Sequence, residues 1–248
     1  MGARWGGALH LLPAPELEGV QDAMLGAYRE MGARHGPTAS PVLATMLGRQ
    51  GAGRFDAVVF EAPGPSTSPK GALVFLHGFT GNFTLTCWLA ARAAGEAGLM
   101  TVCPSVGFDG RWWAGDGPAT LEATLRWLER RGIQRVVLGG LSNGANGATV
   151  LAPQLAGRLS GLLLVSGGFA DQQPPPQLPV LAIHGLRDRM VGIDGTRRYL
   201  AKAPPNPSTR LVETPSGHFA LLLEREELGR QIAAWLREVV PEPQQPLP

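Results

Sequence analysis

The stretch "GGLSNGANGA", residues 139–148, follows the apolar run of residues 135–138 and places glycines on both sides of one serine, Ser142. Glycine weakens both strands and helices, so a packing surface gains nothing from these residues. A sharp turn that exposes a hydroxyl group does need Gly140 and Gly144, and the small residues after Asn143 suit a helix. The stretch therefore predicts a strand, a tight turn that presents the Ser142 hydroxyl, and a helix. A glycine-rich turn without function is the alternative.

Apolar runs of strand length alternate with helical stretches from Phe55 onward. The runs are 55–62, 71–78, 99–106, 135–142, 159–168, 179–188 and 209–216, and the helical stretches are 83–97, 117–131, 143–152, 192–202 and 218–240. Strands that are apolar throughout are typical of sheets covered on both faces, and the alternation implies right-handed crossovers. The sequence therefore predicts an α/β fold with a doubly wound, mostly parallel sheet and helices on both faces. Functional groups are expected beyond the carboxyl ends of its strands.

The first 50 residues have a different pattern and are expected to form a helical extension. Residues 16–34 carry apolar side chains every three or four positions, which predicts a helix with one buried face. Ser40 and Pro41 are favourable at the start of a second short helix over 42–47. The main domain is expected over 51–240, followed by a disordered tail, 241–248.

Composition excludes several classes of protein. The formal net charge is only +2 and no basic run is present, which argues against a nucleic-acid partner. No apolar run approaches the roughly 20 residues that span a bilayer. The apolar patch near the N-terminus is broken by His10 and has no clean cleavage site, so a signal peptide is not expected. A cytoplasmic location is favoured, with export as the alternative. Cys87 and Cys103 are expected to be buried free thiols, with a bridge between them as the alternative.

A base and an acid follow Ser142 along the chain. His218, in the loop "SGHF" (216–219) after the last strand, is the best general base among five histidines. Asp188 ends the preceding strand, and its carboxylate could orient the imidazole. Asp171 is its competitor, whereas Asp194 is expected to cap the next helix.

The stretch "HGFTG", residues 77–81, follows the strand predicted over 71–78. A loop there can aim a backbone N–H, that of Phe79, at a carbonyl oxygen on which charge develops. The second donor would be the N–H of Asn143, directly after the serine. His77 and His184 are both expected to have structural roles in turns.

The chain order Ser142, Asp188, His218 is that of the α/β-hydrolases. Four motifs, HGFTGN (77–82), GLSNG (140–144), HGLRD (184–188) and SGHF (216–219), together resemble a bacterial serine carboxylesterase of that superfamily over residues 55–240. The first motif is similar to monoacylglycerol-lipase-like enzymes, and the second to polyhydroxybutyrate-depolymerase and feruloyl-esterase-like enzymes. The resemblance implies a catalytic triad that cleaves small, accessible carboxylic esters of short to medium chain through an acyl-enzyme. It implies neither metal nor organic cofactor.

The sequence departs from the family pattern at two places. Only one clear strand run precedes 71–78, where family members usually have two. The link from Gly168 to Val180 is too short for the helical lid that many members insert there, so an open site without a large lid is expected.

Substrate choice is the least determined property. Thr80, Trp112 and Trp113 are candidates for the substrate cleft, and paired tryptophans could bind an acyl chain, an aromatic acid or a polymer surface. Aromatic side chains that cover a helix end are an equal alternative. Arg111 is expected to be solvated, although it could bind a substrate carboxylate. A peptidase or amidase, or a ligand-binding receptor, is the alternative function, and the oligomeric state stays open.

Overall fold

The computed structural model describes residues 14–36, 40–41, 47, 56–63 and 69–241, with side chains from Gly19 onward in the first helix. The predicted helix over 42–47 lies outside this range except for Leu47. The predicted disordered tail lies outside it except for Pro241.

Seven strands and seven α-helices make up the described part of the chain. The helices are α1 (Ala14–His35), α2 (Thr84–Glu96), α3 (Gly117–Arg130), α4 (Asn143–Leu155), α5 (Ile193–Leu200), α6 (Ala220–Leu223) and α7 (Arg225–Val239). The strands are β1 (Ala57–Phe60), β2 (Ala72–Leu76), β3 (Met100–Pro104), β4 (Val136–Leu141), β5 (Leu159–Val165), β6 (Val180–Gly185) and β7 (Arg210–Thr214). Each predicted strand run from residue 55 onward contains one of these strands. Within the described ranges, none of the helices has the length and apolar character needed to cross a membrane.

The strands form one sheet in the order β1-β3-β2-β4-β5-β6-β7. Strand β1 pairs antiparallel with β3, and all other pairs are parallel. The prediction of a doubly wound, mostly parallel sheet is therefore confirmed. The link between β5 and β6, residues 166–179, contains no helix. This confirms that no helical lid is inserted there.

Side chains of alternate strand residues enter two separate cores, one on each face of the sheet. In β2, Leu73 and Phe75 join the core under α2 and α7, whereas Val74 and Leu76 join the core under α3 and α4. Burial on both faces explains why the central strands, such as β2 and β3, are apolar throughout, because none of their residues faces water.

Helix α1 packs on the face of the sheet that α2 and α7 cover. The sequence did not predict on which side of the domain this helix would lie. Its residues Ala27 and Met31 belong to the same core as those helices. On the rim of this contact, Glu30 pairs with Arg92 of α2 and with Arg225 of α7. The helix predicted over 16–34 is therefore confirmed, and it lies against one face of the domain. Its predicted buried face is only partly buried, because Met24 and Tyr28 are exposed.

The expectation of free thiols is wrong, because Cys87 and Cys103 form a disulfide. Both residues are 1% exposed, and their Cα atoms lie 6.0 Å apart. Cys87 lies on α2 and Cys103 on β3, so the bond joins a helix to the strand on which it packs. Only the return of the chain in this crossover brings the two residues together, which their spacing could not reveal.

Candidate active site

Ser142 lies in the turn between β4 and α4, with φ 56° and ψ −119°. A positive φ is costly for any residue with a side chain and persists only where the surroundings impose it. Here the Ser142 N–H donates to Val165 of the neighbouring strand, and the Ser142 carbonyl accepts from Asn146 in the helix. Hydrogen bonds to β5 and to α4 thus hold the backbone of Ser142 in this turn.

The glycines around Ser142 make this turn sterically feasible. A Cβ atom on Gly140 would lie 2.3 Å from the carbonyl carbon of Gly144, and one on Gly78 would lie 3.1 Å from the Ser142 Cβ. Real Cβ atoms essentially never make the first contact. Gly140 and Gly78 are therefore required by the close approach of β4, α4 and the loop after β2.

Asp188 and His218 form a buried hydrogen-bonded pair. The His218 Nδ1 lies 2.8 Å from the Asp188 Oδ2, and the two side chains are 5% and 0% exposed. The other carboxylate oxygen, Oδ1, accepts hydrogen bonds from the backbone N–H groups of Met190 and Val191. The carboxylate is therefore fixed in position, and it fixes one side of the imidazole.

The environment of Asp188 strongly favours its ionised form. Burial alone would raise the pKa of this carboxyl, but hydrogen bonds from His184 and His218 outweigh it and hold the pKa well below its ordinary value. Asp188 is thus a permanent negative charge beside His218 at neutral pH.

His218 is anchored near the turn that holds Ser142. The Ser166 hydroxyl donates to the His218 carbonyl over 3.0 Å. Ser166 directly follows Val165, which accepts the Ser142 N–H. The three residues that the sequence analysis proposes follow β4, β6 and β7, so all three lie at the carboxyl-end edge of the parallel sheet.

The competing acids are located elsewhere. Asp171 lies in an exposed turn, and Asp194 lies in the first turn of α5, where it pairs with Arg197. Among the described residues, neither of these carboxylates bonds to His218.

The loop after β2 lies directly against the Ser142 turn. His77 is buried and accepts the Val106 N–H at Nε2, while its Nδ1 lies 2.8 Å from the Gly78 carbonyl. This confirms the structural role predicted for His77. Burial lowers the pKa of His77 from 6.5 to about 4, so the imidazole is neutral.

The backbone N–H groups of Asn143 and Phe79 belong to the two segments that meet at the Ser142 turn. Asn143 is the first residue of α4, so its N–H has no partner within the helix. The Thr80 N–H is used by the Phe108 carbonyl, whereas the Phe79 N–H donates to none of the described residues. Thr80 is exposed and has φ 81°.

Trp112 does not lie in a cleft, contrary to expectation. Its side chain is fully buried, its indole N–H donates to the His77 carbonyl, and a Cβ on Gly147 would lie 2.4 Å from its own Cβ. Gly147 lies in α4, so Trp112 fills the space between that helix and the loop after β2. In this position the apolar ring of Trp112 is removed from water and its N–H has an acceptor, as buried tryptophans require.

Trp113 is half-buried and stacks edge to face on Phe169, with 5.0 Å between ring centroids. The guanidinium of Arg111 lies 6.0 Å from the Trp113 ring. Phe79, in the loop after β2, and Phe108, in the loop after β3, form a second edge-to-face pair. Phe108 and Phe169 cannot be recognised from the sequence, because an isolated phenylalanine in a loop is not typical of any site.

His184 also contacts Asp188, a role beyond the structural one that was predicted. Its Nε2 lies 3.3 Å from the Asp188 Oδ2 and 2.9 Å from the Val191 carbonyl. Its Nδ1 lies 2.9 Å from the Thr196 hydroxyl. The motif HGLRD contained a signal for this contact. Asp188 stands four positions after His184, and the chain turns between them at the end of β6.

Comparison with known proteins identifies relatives by structure only. No protein-family model and no curated protein matches the chain. A monoacylglycerol lipase from Paleococcus ferrophilus superposes with a TM-score of 0.62 at 13% identity, covering 75% of this chain and 99% of the lipase. Est1E from Butyrivibrio proteoclasticus with bound ferulic acid gives 0.60 at 14% identity, with coverage of 75% and 95%. An α/β serine hydrolase without lid from Xanthomonas campestris gives 0.59 at 19% identity, with coverage of 77% and 91%.

Proposed function

Because the chain has the α/β-hydrolase fold, we propose that it is a serine hydrolase that cleaves carboxylic esters. The observation that carries this proposal is the buried hydrogen bond between Asp188 and His218, beside a serine held at positive φ. Fold alone would not suffice, since this fold supports many activities. A nucleophile, a base and a fixed carboxylate gathered at one edge of the sheet are the components of acyl transfer.

In the proposed reaction, His218 takes the proton of Ser142 as the hydroxyl oxygen attacks the ester carbonyl. The N–H groups of Phe79 and Asn143 stabilise the negative charge that develops on the carbonyl oxygen. Asp188 stabilises the imidazolium and remains ionised throughout. His218 then gives its proton to the departing alcohol, and a water molecule activated in the same way releases the acid from Ser142.

Two aromatic pairs in the loops after the strands support a substrate with an apolar acyl group. Phe79 follows β2, its partner Phe108 and Trp113 follow β3, and Phe169 follows β5, so both pairs lie at the carboxyl-end edge of the sheet that also carries Ser142. The absence of a helix between β5 and β6 supports an open approach to the site, suited to accessible esters of short to medium chain. The lipase and the esterase that share the fold are consistent with this substrate class.

The proposal is tested by hydrolysis of p-nitrophenyl esters from acetate to palmitate by wild type, Ser142→Ala and Asp188→Asn. Activity is expected to disappear in Ser142→Ala and to fall roughly 10³- to 10⁴-fold in Asp188→Asn. The matched controls Asp171→Asn and Asp194→Asn remove exposed carboxylates and are expected to stay within about twofold of wild type.

Labelling by a fluorophosphonate separates this proposal from its alternatives. A serine hydrolase is expected to be labelled at Ser142, and the label should be absent in Ser142→Ala. Labelling without ester hydrolysis would favour an amide or peptide substrate. A wild-type protein that neither labels nor hydrolyses any ester would rule the proposal out and favour a binding protein.

A further inference from the structure

His184 is fully buried at the end of β6, and the proposed reaction does not use it. Both ring nitrogens nevertheless have polar partners. Nε2 faces two acceptors, the Asp188 Oδ2 and the Val191 carbonyl, while Nδ1 faces the Thr196 hydroxyl. Because two acceptors face Nε2, this nitrogen must carry a proton. His184 is thus a hydrogen-bond donor to the same carboxylate oxygen that binds His218.

Thr196 extends this contact to the end of β5. Its hydroxyl lies 3.1 Å from the Gly167 carbonyl, and Thr196 is 1% exposed. The neighbouring residue, Ser166, is fully buried and donates to the His218 carbonyl. The contacts therefore close a ring that runs from Asp188 through His184, Thr196, Gly167, Ser166 and His218 back to Asp188.

We propose that His184 is a positioning residue, which keeps Asp188 and His218 aligned through this closed ring of contacts. The inference rests on the proposed function, since it assigns a role in aligning the acid and the base of that site. Ser166 binds the backbone carbonyl of His218, and Asp188 binds its ring. His184 and Thr196 connect Asp188 to Gly167, the residue after Ser166.

Burial gives this ring its strength. Hydrogen bonds between groups removed from water are stronger than exposed ones, and an unpaired group there would be costly. Removing the Thr196 hydroxyl leaves the ionised carboxylate of Asp188 in place. It breaks the contacts of Thr196 with His184 and with the Gly167 carbonyl, so His184 is held less firmly against Asp188. The imidazole of His218 then samples more orientations, which lowers the rate of proton transfer and not the affinity for substrate.

The test uses Thr196→Val, which removes only the hydroxyl and keeps the shape of the side chain. The matched control is Thr124→Val, which removes a fully buried hydroxyl that bonds to Thr120 within α3, away from the ring. A second pair, His184→Gln and His184→Leu, keeps or removes the donor to Asp188. Steady-state kinetics use whichever p-nitrophenyl ester the wild type hydrolyses fastest.

The expected result for Thr196→Val is a kcat roughly 10- to 100-fold lower with KM within about twofold, while Thr124→Val retains the wild-type kcat. His184→Gln is expected to retain more kcat than His184→Leu. The low-field proton NMR signal of a histidine Nδ1–H bonded to a carboxylate should weaken in Thr196→Val and persist in Thr124→Val. That signal reports the alignment of Asp188 and His218 without any substrate.

Three outcomes overturn the inference. The first is a kcat for Thr196→Val within twofold of wild type while Ser142 still reacts with fluorophosphonate. The second is an effect confined to KM, and the third is an unchanged NMR signal. Failure of the proposed function is distinguishable, because it appears in the wild type as a lack of labelling and of hydrolysis.

Discussion

A Cβ atom on Gly144 would lie 2.0 Å from the carbonyl oxygen of Leu76, the last residue of β2. The first turn of α4 therefore touches the backbone of the strand next to β4. This contact sets how closely the helix approaches the sheet, and so where Ser142 lies relative to the loop that carries Phe79.

Gly144→Ala is expected to destabilise the protein by roughly 1–3 kcal/mol, because the added methyl group overpacks a backbone contact that cannot relax. The matched control is Gly229→Ala in α7, where nothing lies within 4 Å of the new Cβ. Alanine exceeds glycine in helix propensity, so the control should gain about 0.5–1 kcal/mol. Urea unfolding measures both, and equal stability of the two variants would contradict the steric argument.

The sequence was sufficient for the fold because its signals are local. Apolar runs between helical stretches predicted all seven strands of the described chain. The position of Asp188 at the end of the strand before His218 favoured it over Asp171 as the partner of that histidine. Helix α7 shows the limit of this approach. The single helix predicted over 218–240 is interrupted at Glu224, which separates α6 from α7.

What the sequence missed depends on which residues meet across the fold. Trp112 looked like a cleft residue because tryptophans in loops often bind ligands, yet the packing of α4 encloses it. The partners of His184 lie in the loop after β6 and in α5, and no spacing rule joins Thr196 to Gly167. Likewise, the disulfide depends on the crossover that returns β3 to α2.

Replacing both cysteines, Cys87→Ala with Cys103→Ala, is expected to lower the free energy of unfolding. The bond closes a loop of 16 residues, which corresponds to about 3 kcal/mol and a fall in Tm of roughly 6–12 °C. Calorimetry with and without dithiothreitol checks this. The reductant should lower the Tm of wild type and leave that of the double variant unchanged.

The same bond bears on the compartment in which the protein matures. Disulfides are rare in the cytosol and common in exported proteins. We therefore expect the Cys87–Cys103 bond to persist in protein that matures in an oxidising environment. Thiol titration of denatured protein is expected to find no free thiol. Two free thiols in protein purified from its natural source would contradict the bond.

Phe169→Ala is expected to reduce kcat/KM roughly tenfold for esters with long or aromatic acyl groups and to change it little for acetate. The Phe169 N–H donates to the Thr149 hydroxyl in α4, the helix that begins directly after Ser142, and the Phe169 ring packs on that of Trp113. The control is Trp127→Ala on α3, which removes a half-buried ring that stacks on Arg131. An equal loss for acetate and long-chain esters would exclude a role in substrate selection.

Neutral His77 makes stability depend on pH. Burial lowers the pKa of this imidazole to about 4, whereas the unfolded chain has the ordinary value of 6.5. Between these two values the unfolded state binds a proton that the folded state does not, so stability rises with pH. Below pH 4 both states are protonated, and the loss reaches its maximum.

The wild type is therefore expected to lose about 2 kcal/mol at His77 as the pH falls from about 7.5 to 5. His77→Gln should remove this part of the slope, whatever it does to stability at neutral pH. His35→Gln, which replaces an exposed histidine of α1, is the matched control. Urea unfolding at several pH values gives each slope. If His77→Gln and His35→Gln have the same pH slope, the acid sensitivity comes from other groups, and the structural bond between His77 and Val106 does not require a neutral ring.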